Sequence, residues 1–416
     1  MNTIYRIALI TALATSGAAI NSRGAEIMTL AECIDSAASH NPALQIASGA
    51  VEKARILKGT AFDPEQTSLT LKQETTGGGG PENGITVSQD FEFPTVYVAR
   101  HKALKAEEEL ERRNYAVALN ETVRDVTSAY YTLLYFREMV SLRLRQDSLY
   151  TRFEHIASVR FDNGDCSPLE PMNARRLLNA NNVALAEARN NCEEARRKLM
   201  FLIGAEYPVE PADMSLSVIN STPTENGGYN FDSTPRGEAA ASEIELSERN
   251  LAVTRHEFLP GISVGATAQA LIKSFNPYNV DRSRFEKGDF MGFEVGITVP
   301  LFFGAQRARA RAAKKDLEIA QLKSELLRQE AENEYSDAMG RMHAARKNLE
   351  YYNGTGKEEA AEIARIADVS YALGDIDYVE YMANLETAYE MLAGRAEAIN
   401  TYNQTIITLN YLTGKQ

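Results

Sequence analysis

The chain has 416 residues, of which 44% are hydrophobic and 24% are charged, a composition typical of a folded protein rather than a disordered one. Its formal net charge of −13 argues against a nucleic-acid binder, because phosphate binding requires a basic surface. The same charge is compatible with a membrane protein whose acidic part lies outside the lipid.

Residues 1–24 predict a secretory signal peptide. Arg6 precedes an apolar stretch at 7–13, small residues follow, and cleavage after Ala19 or after Gly24 fits the pattern. The apolar stretch is shorter than the roughly 20 residues of a membrane-spanning helix, and no later apolar run is long enough. If the exported chain crosses a membrane, it therefore does so as a closed β-barrel, because lipid does not tolerate open sheet edges.

After this segment the sequence predicts one order of elements twice: helix, two strands, very long helix, shorter return helix. A capping-box pattern at Thr29 begins the first helix, and a segment rich in Gly, Ser, Thr and Pro separates the two series. The predicted elements of the first series are a helix over 29–61, strands over 66–74 and 85–93, and helices over 99–161 and 167–201. Those of the second series are a helix from 237, strands over 262–272 and 291–301, and helices over 305–372 and 376–412.

Matching landmarks about 200 to 210 residues apart indicate that this order is an internal duplication. The landmarks are a strand end at 87–94 and 295–300, a helix break at 159–165 and 369–375, and a helix end at 198–204 and 408–414. The chain is therefore predicted to consist of the signal peptide 1–24, a first structural repeat 25–207, a linker 208–236 and a second structural repeat 237–416.

The lengths and the strand pattern together predict a tube. A helix of about 60 to 68 residues is roughly 90 to 100 Å long at about 1.5 Å per residue, which no single compact domain holds. In 85–93 and 291–299, apolar residues alternate with small or polar ones. Such alternation is typical of membrane β-barrels, although it also fits a half-buried sheet in a soluble protein. Because four strands cannot close around a lumen, the smallest predicted duct is a trimer with about twelve strands.

The reactive side chains predict no enzyme. Cys33, Cys166 and Cys192 are odd in number and lack metal-ligand spacing, so we interpret them as small packing or surface residues. The five histidines are scattered, and no Ser-His-Asp or Cys-His arrangement has catalytic spacing. We predict no catalytic residue, no metal site and no cofactor.

From about residue 29 to its C-terminus, the chain resembles the TolC-type outer-membrane efflux family. The resemblance rests on TLAECI at 29–34 with NPAL at 41–44, on VPLFFG at 299–304 and on YALGD at 371–375, in this order. It implies a mixed α and β fold in which a homotrimer forms a transmembrane β-barrel, with four strands per protomer, continued by a long α-helical barrel in the periplasm. It also implies that the linker and the chain ends form a belt around the middle of this tunnel.

In this family the two helix breaks lie at the periplasmic tip, where the duct narrows and meets an adaptor protein. Each tip glycine, Gly164 and Gly374, is followed six residues later by a carboxylate, Glu170 or Glu380. We assign the channel constriction to these two acids because rings of carboxylates attract cations, although each acid also suits a helix start that the helix dipole favours. The predicted adaptor-contacting residues are Arg160, Phe161, Gly164, Asp165, Tyr371, Gly374 and Asp375.

The resemblance implies three kinds of partner: outer-membrane lipid, a periplasmic adaptor protein and an inner-membrane pump. We predict a passive conduit for small molecules or ions, driven by that pump. An outer-membrane duct for polypeptide secretion and a periplasmic coiled-coil scaffold or adaptor are the alternatives.

Two features depart from some family members. The lipid-anchoring cysteine is missing, and the position two after the tip glycine holds Cys166 and Ile376 instead of a basic residue that closes the tip.

Overall fold

The computed structural model of the chain describes residues 26–75, 81–220, 228–271, 290–299 and 302–415. The predicted signal peptide therefore lies outside the described residues. The described part is mainly helical. Its α-helices, in chain order, are α1 (Leu30–His40), α2 (Pro42–Leu57), α3 (Pro94–Asp162), α4 (Leu169–Ile203), α5 (Pro235–His256), α6 (Gly304–Asn353), α7 (Thr355–Leu373) and α8 (Tyr378–Thr413).

The described strands form two sheets. They are β1 (Glu26–Met28), β2 (Ser68–Thr75), β3 (Pro81–Phe91), β4 (Val209–Pro211), β5 (Gly261–Leu271) and β6 (Phe290–Thr298). The small sheet pairs β1 with β4 in parallel, and the larger one is antiparallel with the order β2-β3-β5-β6. Both predicted hairpins thus lie in one open sheet, joined through β3 and β5, with β2 and β6 at its edges.

One face of the larger sheet is apolar and exposed. The register pairs Leu69 with Val87 and Val87 with Ala266. Ala266 in turn pairs with Phe293, so that apolar side chains from all four strands form one row. Exposure is highest at the two edge strands, 66% at Leu69 and 82% at Phe293, and is 43% at Val87. A sheet in water normally buries its apolar face, and no other described part of this chain covers this one.

The longest element is α3, whose 69 residues span about 100 Å at about 1.5 Å per residue. The prediction of a rod of this length is confirmed. The helix begins at Pro94, five residues before the predicted start. Proline suits a first helical position because its φ is already helical and its missing amide hydrogen has no partner to lose there.

The predicted first helix is two helices followed by a short 3₁₀ turn. Thr29 and Glu32 form the predicted capping box at the start of α1. That helix ends before Asn41, which is extended because the ring of Pro42 disfavours a helical conformation at the preceding residue. The side chain of Asn41 then caps α2 by accepting a hydrogen bond from the Ala43 amide at 2.8 Å.

The predicted second long helix is divided at Gly354 into α6 and α7. A Cβ atom at this position would lie 2.8 Å from the carbonyl oxygen of Glu350, so the break requires a glycine. Beside the break, Arg395 of α8 donates a hydrogen bond to the side chain of Asn353 at 3.0 Å. The prediction of one continuous helix over 305–372 was therefore wrong, and only the first of the two long rods is uninterrupted.

The helices pack side by side in two tiers around α3. In the sheet tier, next to the larger sheet, α2 and α5 pack on α3, and α6 packs on α5. In the tip tier, beyond it, α4 and α8 pack on α3, and the end of α6, continued by α7, packs on α8. The tiers stack end to end, since His40 lies against Gly204 after α4 and Pro235 lies against Gly414 after α8. Each tier is thus a wall of four helices.

Candidate functional site at the helical tip

The two helix breaks are turns with the same backbone geometry. Gly164 and Gly374 have φ angles of 82° and 79°, a left-handed conformation that glycine adopts without a steric penalty. At the first turn, the amide of Gly164 donates to the Phe161 carbonyl at 2.9 Å, and the amide of Asp165 donates to the Arg160 carbonyl at 2.8 Å. The second turn repeats both bonds at the equivalent positions, so each helix ends in a Schellman motif.

Glu170 lies beside the first turn, with 16% of its side chain exposed. Its Oε1 accepts a hydrogen bond from Nη1 of Arg160 at 2.5 Å, and the two groups form an ion pair. The Cys166 thiol lies close to this pair. Burial, followed by the charge of Glu170, raises the pKa of that thiol above its usual value. The charge of the first predicted constriction acid is therefore balanced within its own protomer.

Glu380 has a different environment at the second turn. Its amide donates to Oδ1 of Asp377, the capping residue of α8, at 2.9 Å, and its own side chain is exposed. Asp375 and Asp377 are exposed as well. Within the described residues, no ion pair involves these three carboxylates. The acid six residues after the tip glycine is therefore unpaired within its protomer at the second turn, whereas at the first turn it is paired with Arg160.

A cluster of four aromatic rings joins the two helical hairpins near their tips. The ring centroid of Phe153 in α3 lies 5.2 Å from that of Tyr381, 5.4 Å from that of Tyr378 and 6.4 Å from that of Tyr371. Tyr371 and Tyr381 stack at 4.6 Å. The Tyr381 hydroxyl donates to Oδ1 of Asp368 at 2.5 Å, which also ties α8 to α7. The cluster fixes one hairpin against the other.

Tyr378 contributes a buried hydroxyl group to this cluster. Its side chain is 6% exposed, and its hydroxyl oxygen has no hydrogen-bond partner within the described residues. Burial, followed by the charge of Glu170, raises the pKa of Tyr378 to about 12. In the folded protein the neutral phenol of Tyr378 is therefore favoured, because a phenolate here would be without hydration and close to a carboxylate.

The predicted adaptor-contacting residues differ in their availability. Phe161 is 43% exposed, and Asp165 and Asp375 are exposed. Arg160 is engaged in the ion pair, and Tyr371 packs within the aromatic cluster. The two tip glycines form the turns. A partner that approached the tip would therefore meet Phe161 and the two aspartates first.

The sequence pattern did not indicate Phe153, Tyr378 or Tyr381 as site residues. The two tyrosines lie three residues apart at the start of the return helix, and this spacing places them on one helix face. That spacing was the signal in the sequence that could have indicated them. The ion pair of Arg160 with Glu170 crosses a turn, and helix spacing does not predict such a contact. The ion pair forms within one hairpin, and the contacts of Phe153 form where the two hairpins pack.

Among the described residues, no group of three or more His, Cys, Asp or Glu side chains could hold a metal ion. The three cysteines are free, with Cys33 and Cys192 buried and Cys166 half-buried. None of the described helices combines the length and the apolar character needed to cross a membrane.

The chain matches the family model described as outer membrane efflux protein over residues 33–205 and 235–415. No curated protein sequence matches it. Three solved structures illustrate its similarity in fold. The CmeC outer membrane channel of Campylobacter jejuni is 16% identical, with a TM-score of 0.74, over 93% of this chain and 85% of that one.

The open state of the Neisseria gonorrhoeae MtrE outer membrane channel is 18% identical, with a TM-score of 0.74, over 92% of this chain and 88% of that one. The outer membrane protein VceC of Vibrio cholerae is 14% identical, with a TM-score of 0.72, over 92% of this chain and 96% of that one. These likenesses concern the fold, whereas the family model covers both halves of the sequence. The protein therefore belongs to the outer membrane efflux protein family, a family of outer-membrane channels rather than of enzymes.

Proposed function

We propose that three copies of this chain form one duct through the outer membrane and into the periplasm, a passive conduit for small molecules or ions. An inner-membrane pump drives the transport through a periplasmic adaptor protein, as the family resemblance implies. The observation that carries the proposal is the exposed apolar face of the larger sheet, which continues into a helix about 100 Å long. Lipid would cover that face, and the helices would line a tunnel in the periplasm.

The number of copies follows from the sheet edges. The described residues of one chain supply four strands of this sheet, and among them β2 and β6 each have an outer edge without a strand partner. Lipid cannot satisfy these groups, so a membrane-spanning sheet must close on itself. The smallest membrane barrels have about eight strands, and a barrel of about twelve leaves room for a lumen. Three copies, with β2 of one paired to β6 of the next, meet both requirements.

The described elements support an origin in two structural repeats, 25–207 and 237–416. Four glycines in the described residues have positive φ, and all four end helices. Gly164 and Gly374 end the helices that run to the tip, and Gly204 and Gly414 end the return helices. Each pair is separated by 210 residues. The same turn chemistry therefore recurs at one constant offset.

The contacts of the linker 208–236 support its place in a belt around the tunnel. Its first residues form β4, which pairs with β1 at the start of the described chain. The fully buried Asn403 of α8 accepts a hydrogen bond from the Ile219 amide at 2.9 Å and donates one to the Ser217 carbonyl at 2.8 Å. Tyr130 of α3 donates to Asp213 at 2.7 Å. The linker is thus fixed to the middle of α3 and to the return helix α8.

We assign the adaptor contact and the constriction to the tip. The exposed Phe161, Asp165 and Asp375 offer an apolar side chain flanked by acids. The exposed Glu380 supplies most of the cation preference, because its charge is unpaired within the protomer. Glu170 contributes less, since Arg160 balances its charge.

Mass measurement and channel recording test this function together. We expect the purified mature protein in detergent to have the mass of three chains, and to give discrete conductance steps in planar lipid bilayers. Water-soluble oligomers that never insert would instead support the periplasmic scaffold. A matched pair of variants makes the test sharper. Phe293→Arg, on the apolar face, should abolish insertion, because an arginine facing lipid costs about 2–4 kcal/mol per chain. Thr267→Arg, on the opposite face of the neighbouring strand, should still insert.

A further inference from the structure

A cavity of about 930 Å³ lies between α3 and α4, next to the linker. Its lining residues in α3 run from Leu134 to Ser148, which places it about 60–80 Å beyond the start of that helix at about 1.5 Å per residue. Glu210, Met214 and Ser215 of the linker also line it. Pockets of about 300–1,000 Å³ are typical of small-ligand sites, so this cavity has the size of a binding site.

Two arginines in this cavity share one carboxylate of β4. Glu210 accepts a hydrogen bond from Nη2 of Arg196, and its Oε2 lies 3.8 Å from Nη1 of Arg137. Arg137 also donates to the Pro211 carbonyl at 3.1 Å, and Arg196 donates to Glu193. Nε of Arg196 is buried and has no hydrogen-bond partner within the described residues. Because a buried donor without a partner is destabilising, this N–H group is a place for an acceptor atom of a ligand.

The other charged residues of the cavity form no ion pair within the described part of the chain. Arg145 of α3 and Arg189 of α4 are exposed, and Glu138 of α3 is half-buried. Arginine forms strong, charge-assisted hydrogen bonds with carboxylates, and a glutamate forms them with ammonium groups. The available groups therefore match a ligand that combines carboxylates with an ammonium group.

The cavity opens on the face of the helical wall that the linker crosses. The same linker hydrogen-bonds to Tyr130 of α3 and to Asn403 of α8. In the proposed duct the linker belongs to a belt around the tunnel, which makes this face the outside. A ligand bound here is therefore met in the periplasm and is distinct from the transported molecule.

The position and the lining of the cavity together indicate the source of such a ligand. A tube that leads from the outer membrane toward the inner membrane passes through the peptidoglycan layer between them. The peptides of this polymer combine several carboxylates with free amino groups, which is the charge pattern that the cavity accommodates. Protein partners usually bind through buried aromatic anchors, and no aromatic residue is among those that line this cavity. These observations favour a cell-wall peptide over a segment of another protein.

We infer that this cavity binds a peptide of peptidoglycan. Its carboxylates contact Arg145, Arg189 and Nε of Arg196, and its ammonium group contacts Glu138. The inference rests on the proposed duct, because only the duct makes the linker face the outside of a tube. Three copies provide three such sites at one height, so that the cell wall holds the tube at a fixed depth.

Calorimetric titration of the purified mature protein in detergent tests the site with a soluble cell-wall fragment, a disaccharide carrying its tetrapeptide. Arg145→Gln combined with Arg189→Gln should weaken binding about tenfold or more, because hydrogen bonds between charged groups are lost. The matched control combines Arg176→Gln with Arg197→Gln. Both of these arginines are exposed on α4 outside the cavity, so the control changes the net charge equally.

The contact of Glu138 has its own test in the chemistry of the fragment. Acetylation of the free amino group of the peptide should weaken binding to the wild type, because the ammonium charge is removed. The same acetylation should have no further effect on Glu138→Gln, which already lacks the carboxylate. An equal loss in both proteins would overturn the assignment of the ammonium group to Glu138.

The outcomes separate this site from the proposed duct. Equal binding by the wild type and the Arg145→Gln, Arg189→Gln variant overturns the site, and so does equal binding of the disaccharide without its peptide. Equal binding of an L-amino-acid peptide with the same charges assigns the cavity to a protein segment and overturns the cell-wall ligand. A protein with the mass of three chains that conducts ions but binds no fragment overturns this inference and leaves the duct intact. A monomeric chain that binds the fragment contradicts the duct alone.

Discussion

The two tip turns have one backbone geometry and two electrostatic environments. Gly164 and Gly374 adopt the same conformation and close the same two hydrogen bonds, yet Glu170 is paired and half-buried whereas Glu380 is exposed. The difference arises from the side chains that surround each acid. Arg160 precedes the first turn, while the equivalent position of the second turn holds Ser370, which cannot balance a carboxylate. Glycine thus gives both turns the same shape, while the charge of each turn depends on the side chains nearby.

The two long rods differ in a corresponding way. In the first, α3 runs without interruption from the sheet to the tip, whereas the second is divided at Gly354 into α6 and α7. The hairpin in which Glu380 is unpaired is therefore also the one whose long rod is interrupted. The aromatic cluster around Phe153 fixes this hairpin to the continuous one. Removing that contact should have the largest effect.

Phe153→Ala should uncouple the two hairpins. Deleting a buried phenylalanine costs about 3–5 kcal/mol, and Phe153 is 4% exposed. The matched control is Phe161→Ala, two turns further along α3 and 43% exposed, for which we expect about 0.5 kcal/mol or less. Urea unfolding followed by helical circular dichroism measures both. Equal losses in the two variants would show that the cluster does not hold the hairpins together.

Alanine in place of each tip glycine tests whether the two turns have equivalent backbone geometry. Gly164→Ala and Gly374→Ala should each cost about 1–2 kcal/mol, because a residue with a Cβ is strained in the left-handed region. No neighbouring atom lies within 4 Å of a Cβ built at either position, so strain is the only expected cost. The same unfolding measurement applies. A clear difference between the two losses would contradict the equivalence of the turns.

A smaller effect on stability is expected from the ion pair at the first turn, compared with an unpaired charge at the second turn. Arg160→Gln leaves Glu170 half-buried and without its cation, which should cost about 1 kcal/mol for a partly exposed pair. Asp375→Asn, at the second turn, removes an exposed charge that has no partner in the protomer and should change the unfolding free energy by less than about 0.5 kcal/mol. If Asp375→Asn destabilises the protein more than Arg160→Gln does, the ion pair of Arg160 with Glu170 does not balance the charge of the first turn as described.

The smallest effect at neutral pH concerns Tyr378. Its pKa in the folded state is about 12, above the usual 10.0, so folding favours the neutral phenol. The stability that this group contributes is complete below pH 10 and is lost as the pH rises toward 12. Tyr378→Phe should therefore change little at pH 7 and reduce the alkaline loss of stability. Unfolding at pH 7 and at pH 11 would show this, and an unchanged alkaline loss would contradict it.

Local signals predicted much of this fold. The capping box at Thr29 and the turns at Gly164 and Gly374 were correctly predicted, because short backbone motifs determine them. The break at Gly354 was missed because a single glycine is often tolerated within a helix. The ion pair of Arg160 and the contacts of Phe153 were missed for a different reason. They depend on how the hairpins pack, which periodicity along one helix does not report.

The most direct test of the asymmetric tip is the reversal potential of single channels in a salt gradient, compared among the wild type, Glu170→Gln and Glu380→Gln. The wild-type channel should prefer cations. Glu380→Gln should remove most of that preference, because three unpaired carboxylates would be lost from the proposed trimer, whereas Glu170→Gln should have a smaller effect. A channel without cation preference, or one in which Glu170→Gln has the larger effect, would contradict an acidic constriction formed mainly at the second turn.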